Sequence, residues 1–133
     1  MIKAFLIAAA VGGASAVASG AFGAHALKSR LTTELLSTWK TAVDYQFWHV
    51  LALVAVALML LQWPGQRALH IAGWAFITGT VLFSGSLYVI AATGIRHIGS
   101  LPIGLLTPLG GLTLITGWLA LLFFALSCST AVR

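Results

Sequence analysis

The sequence predicts an all-α membrane protein, a four-transmembrane-helix up-and-down bundle with an amphipathic interfacial helix between helices 1 and 2. The whole chain, residues 1–133, reads as a single integral membrane domain. Three observations carry this prediction. Of the 133 residues, 60% are hydrophobic and only 7% are charged, whereas a soluble domain carries roughly 25% charged residues. A soluble fold of this size has no interior large enough to hide so much apolar surface, so the bilayer must act as its solvent. The apolar residues also fall into four runs, residues 4–27, 45–63, 69–92 and 103–126, each long enough at 1.5 Å per residue to cross a hydrocarbon core of about 30 Å. Finally, the connections are short, which favours antiparallel neighbours.

The first run ends in GAFGAHALKSR, residues 20–30. Lys3 ahead of an apolar stretch and the small residues around Ala24-His25-Ala26 also fit a cleavable secretory signal. The run nevertheless exceeds the apolar core of such signals, about 7 to 15 residues, and reads as a retained helix. Within it Gly12, Ala16, Gly20 and Ala24 recur at every fourth position. Lipid supplies no hydrophobic drive between helices, so a stripe of small residues is where another helix can approach closely. Gly110 and Gly111 in the fourth run form a second candidate packing site.

Residues 31–44 have a different character. Leu31, Leu35, Leu36, Trp39 and Val43 gather on one helical face, and Thr33, Glu34, Ser37, Lys40, Thr41 and Asp44 on the other. Thr32 is placed as the N-cap, and Glu34 in the first turn complements the helix dipole. This segment is the expected interfacial helix, over residues 32–44. The competing reading is that it extends the second span into water as one bent helix, since no proline or glycine separates it from Tyr45. Further along, Pro64-Gly65-Gln66-Arg67 is a tight polar turn, and residues 93–102 are a longer interfacial loop. Thr107-Pro108-Leu109-Gly110-Gly111 interrupts span four, where proline removes a backbone hydrogen bond. Trp39, Tyr45, Trp48, Trp63 and Trp74 fall near the proposed span ends as an aromatic belt, and Trp118 lies deeper.

The formal net charge of +5 comes from seven scattered cations set against Glu34 and Asp44. No basic run resembles a nucleic-acid footprint, so membrane lipids, and a second copy of the chain packed through the small-residue stripe, are the expected partners. Lys3, Arg67 and Arg133 fall on one side and Lys28, Arg30, Lys40 and Arg96 on the other, which places both termini outside the cytoplasm by a narrow margin.

Polar side chains inside apolar runs are costly and are therefore the place to look for function. His25 closes span one beside Lys28. Gln46 and His49 lie three apart at the start of span two. Ser84, Ser86 and Tyr88 sit within span three, where Thr80, Ser84 and Tyr88 share a face, and Thr107 lies in span four. An up-and-down bundle brings the end of span one toward the start of span two, so these groups are expected to form a polar cluster at one membrane face. The simplest role for such a cluster is hydrogen bonding between helices, at about 0.6 kcal/mol per contact. The functional reading is a site for an anionic headgroup or the polar tip of a ligand. Two histidines with no carboxylate or thiolate beside them make a poor ligand set, so no metal and no cofactor is expected. The single cysteine, Cys128, adds nothing to such a set. There is no phosphate loop, nucleophile elbow, HExxH or CxxC, and no catalytic residue is expected.

Four stretches are recognisable together: GAFGAHALK at 20–28, WKTAVDYQFWHVLAL at 39–53, FSGSLY at 83–88 and TPLGGLTLITGW at 107–118. They resemble the transmembrane protein 256 family, known in bacteria as domain of unknown function 423, in the same order and over nearly the whole chain. The resemblance implies a small multi-pass protein of the bacterial inner membrane, with mitochondrial relatives in animals, and it brings no established activity. Three functions then compete. In order of fit they are a lipid- or partner-binding scaffold, a small oligomeric transporter or channel lined by the breaks of span four, and an electron carrier or enzyme using His25 and His49. The topology has a direct test: in a Cys128→Ser background, cysteines placed at Gly65 and at Gly99 should react with an impermeant maleimide from opposite sides of the membrane. Labelling from the same side would refute the up-and-down order.

Overall fold

A computed structural model describes residues 1–95, 97–98 and 101–127. Helix α1 runs Ile2–Phe22 and continues through one π-helical turn, Gly23–Leu27; α2 spans Thr33–Gln62, α3 Arg67–Thr93 and α4 Leu106–Ser127. Between α3 and α4 lies a two-residue antiparallel ribbon, β1 (His97–Ile98) with β2 (Leu101–Pro102), pairing His97 with Pro102, followed by a 3-10 turn, Ile103–Leu105. The four helices are long and apolar enough to cross a membrane.

Side-chain contacts fix their directions. Gly12 meets Val50 while Gly23 meets Trp39, so α2 runs back along α1. Tyr45 stacks on Phe83 and Trp39 meets Tyr88 edge-on, so α3 reverses α2. Gly110 lies on Phe83 and Gly117 on Phe76, so α4 reverses α3. The bundle is up-and-down, with α2 and α3 at its centre and α1 and α4 on their flanks. Phe5 of α1 reaches α3 at Gly73 and Trp74, and α4 reaches α2 through Trp118 on His49 and Phe124 on Trp63. The apolar core, with Phe5, Leu53, Val56, Leu60, Leu69, Ala72 and Phe76, fills the half of the bundle nearest the α2–α3 turn.

Several expectations change. The predicted interfacial helix over 32–44 is not a separate element. Thr32 caps it through Leu35 N–H at 3.3 Å, and the helix then continues unbroken to Gln62, because nothing in residues 33–62 breaks or kinks a helix. Tyr45 and Trp48 therefore lie along the body of α2 and not at its end. Pro108 does not interrupt span four either. It sits in the first turn of α4, where the missing N–H has no partner to lose. Arg96, Gly99, Ser100, Cys128 and Arg133 lie outside the described residues.

The small-residue stripe of α1 does face α2, with one substitution. A Cβ on Gly12 would stand 2.7 Å from Val50, Ala16 is buried, and Gly20 is in ordinary contact with Val43, but Ala24 is exposed and Gly23 takes its place against the Trp39 indole. Four-residue steps drift around a helix of 3.6 residues per turn, and the three-residue step from Gly20 to Gly23 returns to the seam. Between α3 and α4 the close approaches belong to Gly79, Gly117 and Gly110, where a Cβ on Gly110 would collide with the backbone of Phe83. At Gly111 it would meet only the Phe83 ring, at 3.7 Å. Alanine is favoured over glycine in a helix by about 0.5–1 kcal/mol, while forced overpacking costs about 1–3 kcal/mol. Gly110→Ala should therefore lower stability in detergent, measured by thermal or denaturant unfolding, while Gly111→Ala leaves it unchanged or raises it. Equal effects of the two would refute this assignment of the α3–α4 seam.

Candidate intramembrane binding site

Gln46 is the polar centre of the bundle. Its Nε2 donates to the Gly12 carbonyl and to Ser15 Oγ, both at 2.8 Å, and its Oε1 accepts from the Tyr88 hydroxyl at 2.9 Å. A backbone carbonyl can only accept, so the contact with Gly12 settles which end of the amide is nitrogen. One side chain thereby joins α1, α2 and α3. Ser15 donates to the same Gly12 carbonyl at 3.0 Å, and Ser19, one turn further on, flanks the Tyr88 hydroxyl. Trp39 adds a second tie between α1 and α2, donating Nε1–H to the Ser19 carbonyl at 2.8 Å.

His49 is one turn after Gln46 and joins α2 to α4. Its Nδ1 lies 2.7 Å from the Tyr45 carbonyl and must donate there, which leaves Nε2 to accept from Trp118 Nε1–H at 3.2 Å. Both ring nitrogens are thus engaged by the neutral form, and the ring packs among Tyr45, Phe76 and Trp118. Ser86 and Thr107 form a separate bridge between α3 and α4. Ser86 Oγ donates to the Phe83 carbonyl, so Thr107 Oγ1, 2.7 Å away, donates to Ser86.

A cleft of about 410 Å³ opens between α1 and α3, with α2 as its floor. Its polar lining is Ser15, Gln46, His49, Thr80, Ser84 and Tyr88, and the rest is aliphatic, aromatic or glycine, with no charged side chain among the described residues. Val11 and Val81, 64% and 66% exposed, stand at the mouth, and Ser84, 1% exposed, is buried in the α3 wall. Among the described residues the Ser84 hydroxyl, buried in that wall, has no hydrogen-bond partner. Gly85 lines the same cleft, and a Cβ there would meet nothing within 4 Å.

The structure thus brings together part of the sequence-derived cluster. Gln46, Ser84 and Tyr88 share the cleft, with His49 in its wall. Ser86 and Thr107 belong to the α3–α4 seam. His25 and Lys28 are exposed at the far end of α1, level with the first turns of α2, and do not join Gln46. Because α2 starts at Thr33, Gln46 lies near the mid-length of its helix, and Gly12 and Ser15 near the mid-length of the first span. The cluster thus lies half-way along α1 and α2, and Tyr88 brings it within two turns of the end of α3. Sequence reasoning missed Ser15 and Ser19, although two serines four residues apart in an apolar run mark a polar face. It also left Trp118 without a partner, although a tryptophan deep in a span needs an acceptor for its N–H.

Comparison with known proteins agrees with the resemblance read from the sequence. UPF0382 membrane protein SSP2132 of Staphylococcus saprophyticus is 41% identical over 122 residues, covering 90% of this chain and 94% of the relative. UPF0382 membrane protein YwdK of Bacillus subtilis is 38% identical over 124 residues, covering 93% and 97%. UPF0382 membrane protein SERP0230 of Staphylococcus epidermidis is 39% identical over 127 residues, covering 94% and 97%. No solved structure matches the chain. Residues 19–111 match the family described as "Protein of unknown function (DUF423)", a span that includes Gln46, His49, Ser84 and Tyr88 and leaves Gly12 and Ser15 outside. With that match over most of its length and these relatives over nearly all of it, the chain belongs to the DUF423 family, whose function is unknown.

Proposed function

We propose that this protein is a non-enzymatic binding protein of the bacterial inner membrane, holding a small lipid-phase molecule in the cleft between α1, α2 and α3. The observation that carries this reading is a cavity of about 410 Å³ in which Ser15, Gln46 and Tyr88, from three different helices, converge among apolar side chains. Ligand sites are typically concave and mostly apolar, with a few convergent polar groups, in volumes of about 300–1,000 Å³. The cleft has that composition, and its mouth is flanked by the exposed valines 11 and 81, which favours entry from the lipid phase over entry from water. The transporter alternative drew on oligomerised spans with Gly and Pro breaks of span four lining a path; Pro108 in the first turn of α4 and Gly110 packed on Phe83 favour the binding reading.

Gly85 gives a clean test, because its missing side chain faces open space. Gly85→Leu should fill the cleft without disturbing packing, and the gain in helix propensity should hold thermal stability at or above that of the native protein. Small molecules copurifying with the native protein in mild detergent, identified by mass spectrometry, should be absent from Gly85→Leu. The reading fails if the same species accompany both proteins or if none accompanies either.

A further inference from the structure

Two opposite charges, Lys40 and Asp44, lie inward of the helix ends on the flank of α1 and α2 that faces away from the cleft. The contacts of Gly12 with Val50 and of Gly23 with Trp39 put Asp44 level with Ala18, inside the first span. Lys40 is one turn nearer the start of α2, level with Phe22. Asp44 stands about 16 Å beyond Thr33, where α2 begins. Both side chains are exposed, and among the described residues neither has an ion-pair partner. A carboxylate at that level meets lipid, where a charge without a counter-charge is costly. At 3.6 residues per turn, Lys40 and Asp44 fall on one side of the seam residues Val43 and Val50, and Gln46 and His49 on the other. A second concavity, of about 500 Å³, opens beside them, between Gly20, Gly23 and Ala24 of α1 and Lys40, Val43 and Asp44 of α2, and shares no residue with the cleft. Ala24, the member of the α1 stripe that turns away from α2, faces this groove.

We propose that this flank is the contact between two copies of the chain, with Lys40 of each copy paired to Asp44 of the other. Copies inserted the same way round are related by a two-fold axis along the membrane normal, and a two-fold contact must be self-complementary. A cation and an anion one turn apart on one face meet that condition, because the axis sets Lys40 against Asp44 twice over. Two charges of one sign would repel across the same axis. Clearance comes from Gly20, Gly23 and Ala24, which have no long side chain to hold the second copy off. Within one helix the pair is weaker, since a cation four residues ahead of an acid is the less favourable order, and both heads still face lipid. A phospholipid headgroup suits the groove less well. Its phosphate lies nearest the acyl chains and any amine further out, whereas here the cation is outermost and the anion deeper. The second copy expected from the sequence thus meets the flank beside the small-residue stripe, since α2 covers the stripe itself. The cleft mouth at Val11 and Val81 is on the other flank and stays open to lipid, so the pairing stands independently of the cleft.

The test uses the full chain in a Cys128→Ser, Gly65→Cys background, labelled at the new cysteine with donor or acceptor dye. Energy transfer is read against the protein-to-lipid ratio in vesicles of phosphatidylethanolamine and phosphatidylglycerol. Protein with Lys40 and Asp44 intact should show transfer that saturates as a dimer. Lys40→Asp alone sets acids against acids across the axis, and Asp44→Lys alone sets cations against cations, so each should self-associate about tenfold or more weakly. Mixed together, the two variants regain both pairs between copies while each still lacks the pair within its own helix. The mixture should therefore recover most of the original transfer, and that recovery shows both variants to be folded. Ala24→Trp fills the groove without touching either charge, and it should abolish pairing while the melting temperature in detergent stays that of the unsubstituted chain. The proposal is overturned by a chain that remains monomeric at every ratio, which leaves the groove to lipid, or by single reversals that associate as the unsubstituted chain does. A mixture that pairs no better than its components, or undiminished pairing of Ala24→Trp, overturns it equally.

Discussion

The arrangement of α1, α2 and α3 depends on one amide side chain that has no water to turn to. Gln46 carries two hydrogens and two lone-pair positions into the interior of a bundle that is otherwise almost wholly apolar, and an unmet polar group there costs several kcal/mol. Its partners come from the two helices on either side: a backbone carbonyl and a hydroxyl from α1, a phenol from α3. The Gly12 carbonyl is within reach because Gly12 brings the α1 backbone against Val50. Close packing and polar satisfaction are thus one feature, since without the small residue the backbone acceptor would stand too far off.

The glycines of α3 and α4 do a related job without polar groups. Phe76 and Leu114 each project into the space left by a missing side chain on the facing helix, at Gly117 and Gly79. Aliphatic surface gains nothing from leaving lipid, so contact area and shape must supply the attraction. The two seams divide the labour. The α3–α4 seam is interlocked, with a hydroxyl bridge at Ser86 and Thr107. The α1–α3 side is loosely filled, and there the cleft opens.

Much of the fold was legible in run length alone, since a stretch of twenty apolar residues has few physical fates. The capped start at Thr32 was legible too, because a threonine before a helical pattern has a specific bond to make. The continuity of α2 was visible in principle, as the lack of any breaker between Glu34 and Tyr45, but amphipathic patterning does not distinguish a helix lying on a surface from the solvated end of a longer one. The site was harder. Gln46, Ser84 and Tyr88 stood out because polar groups in apolar runs always do, yet their place along the helices followed from where α2 begins, and moving that start from Tyr45 to Thr33 put Gln46 near the middle of its helix. His25 was misplaced for the same reason. Pairing by loop order sets which helices are neighbours but not the axial register, which the contacts of Gly12 with Val50 and Gly23 with Trp39 determine.

The neighbour-by-neighbour order of the helices has a consequence for biogenesis. Each span packs chiefly on the one made just before it, so nearly every tertiary contact is available as soon as a span enters the bilayer, and low contact order of this kind favours rapid assembly. Gln46 enters the lipid with its first two acceptors, Gly12 and Ser15, already waiting in α1, and only its carbonyl oxygen stays exposed until α3 arrives. The histidine nitrogen that Trp118 will meet waits longest, until the last helix is threaded. Translation order thus provides the Gln46 amide with two of its three side-chain contacts before the third helix is made.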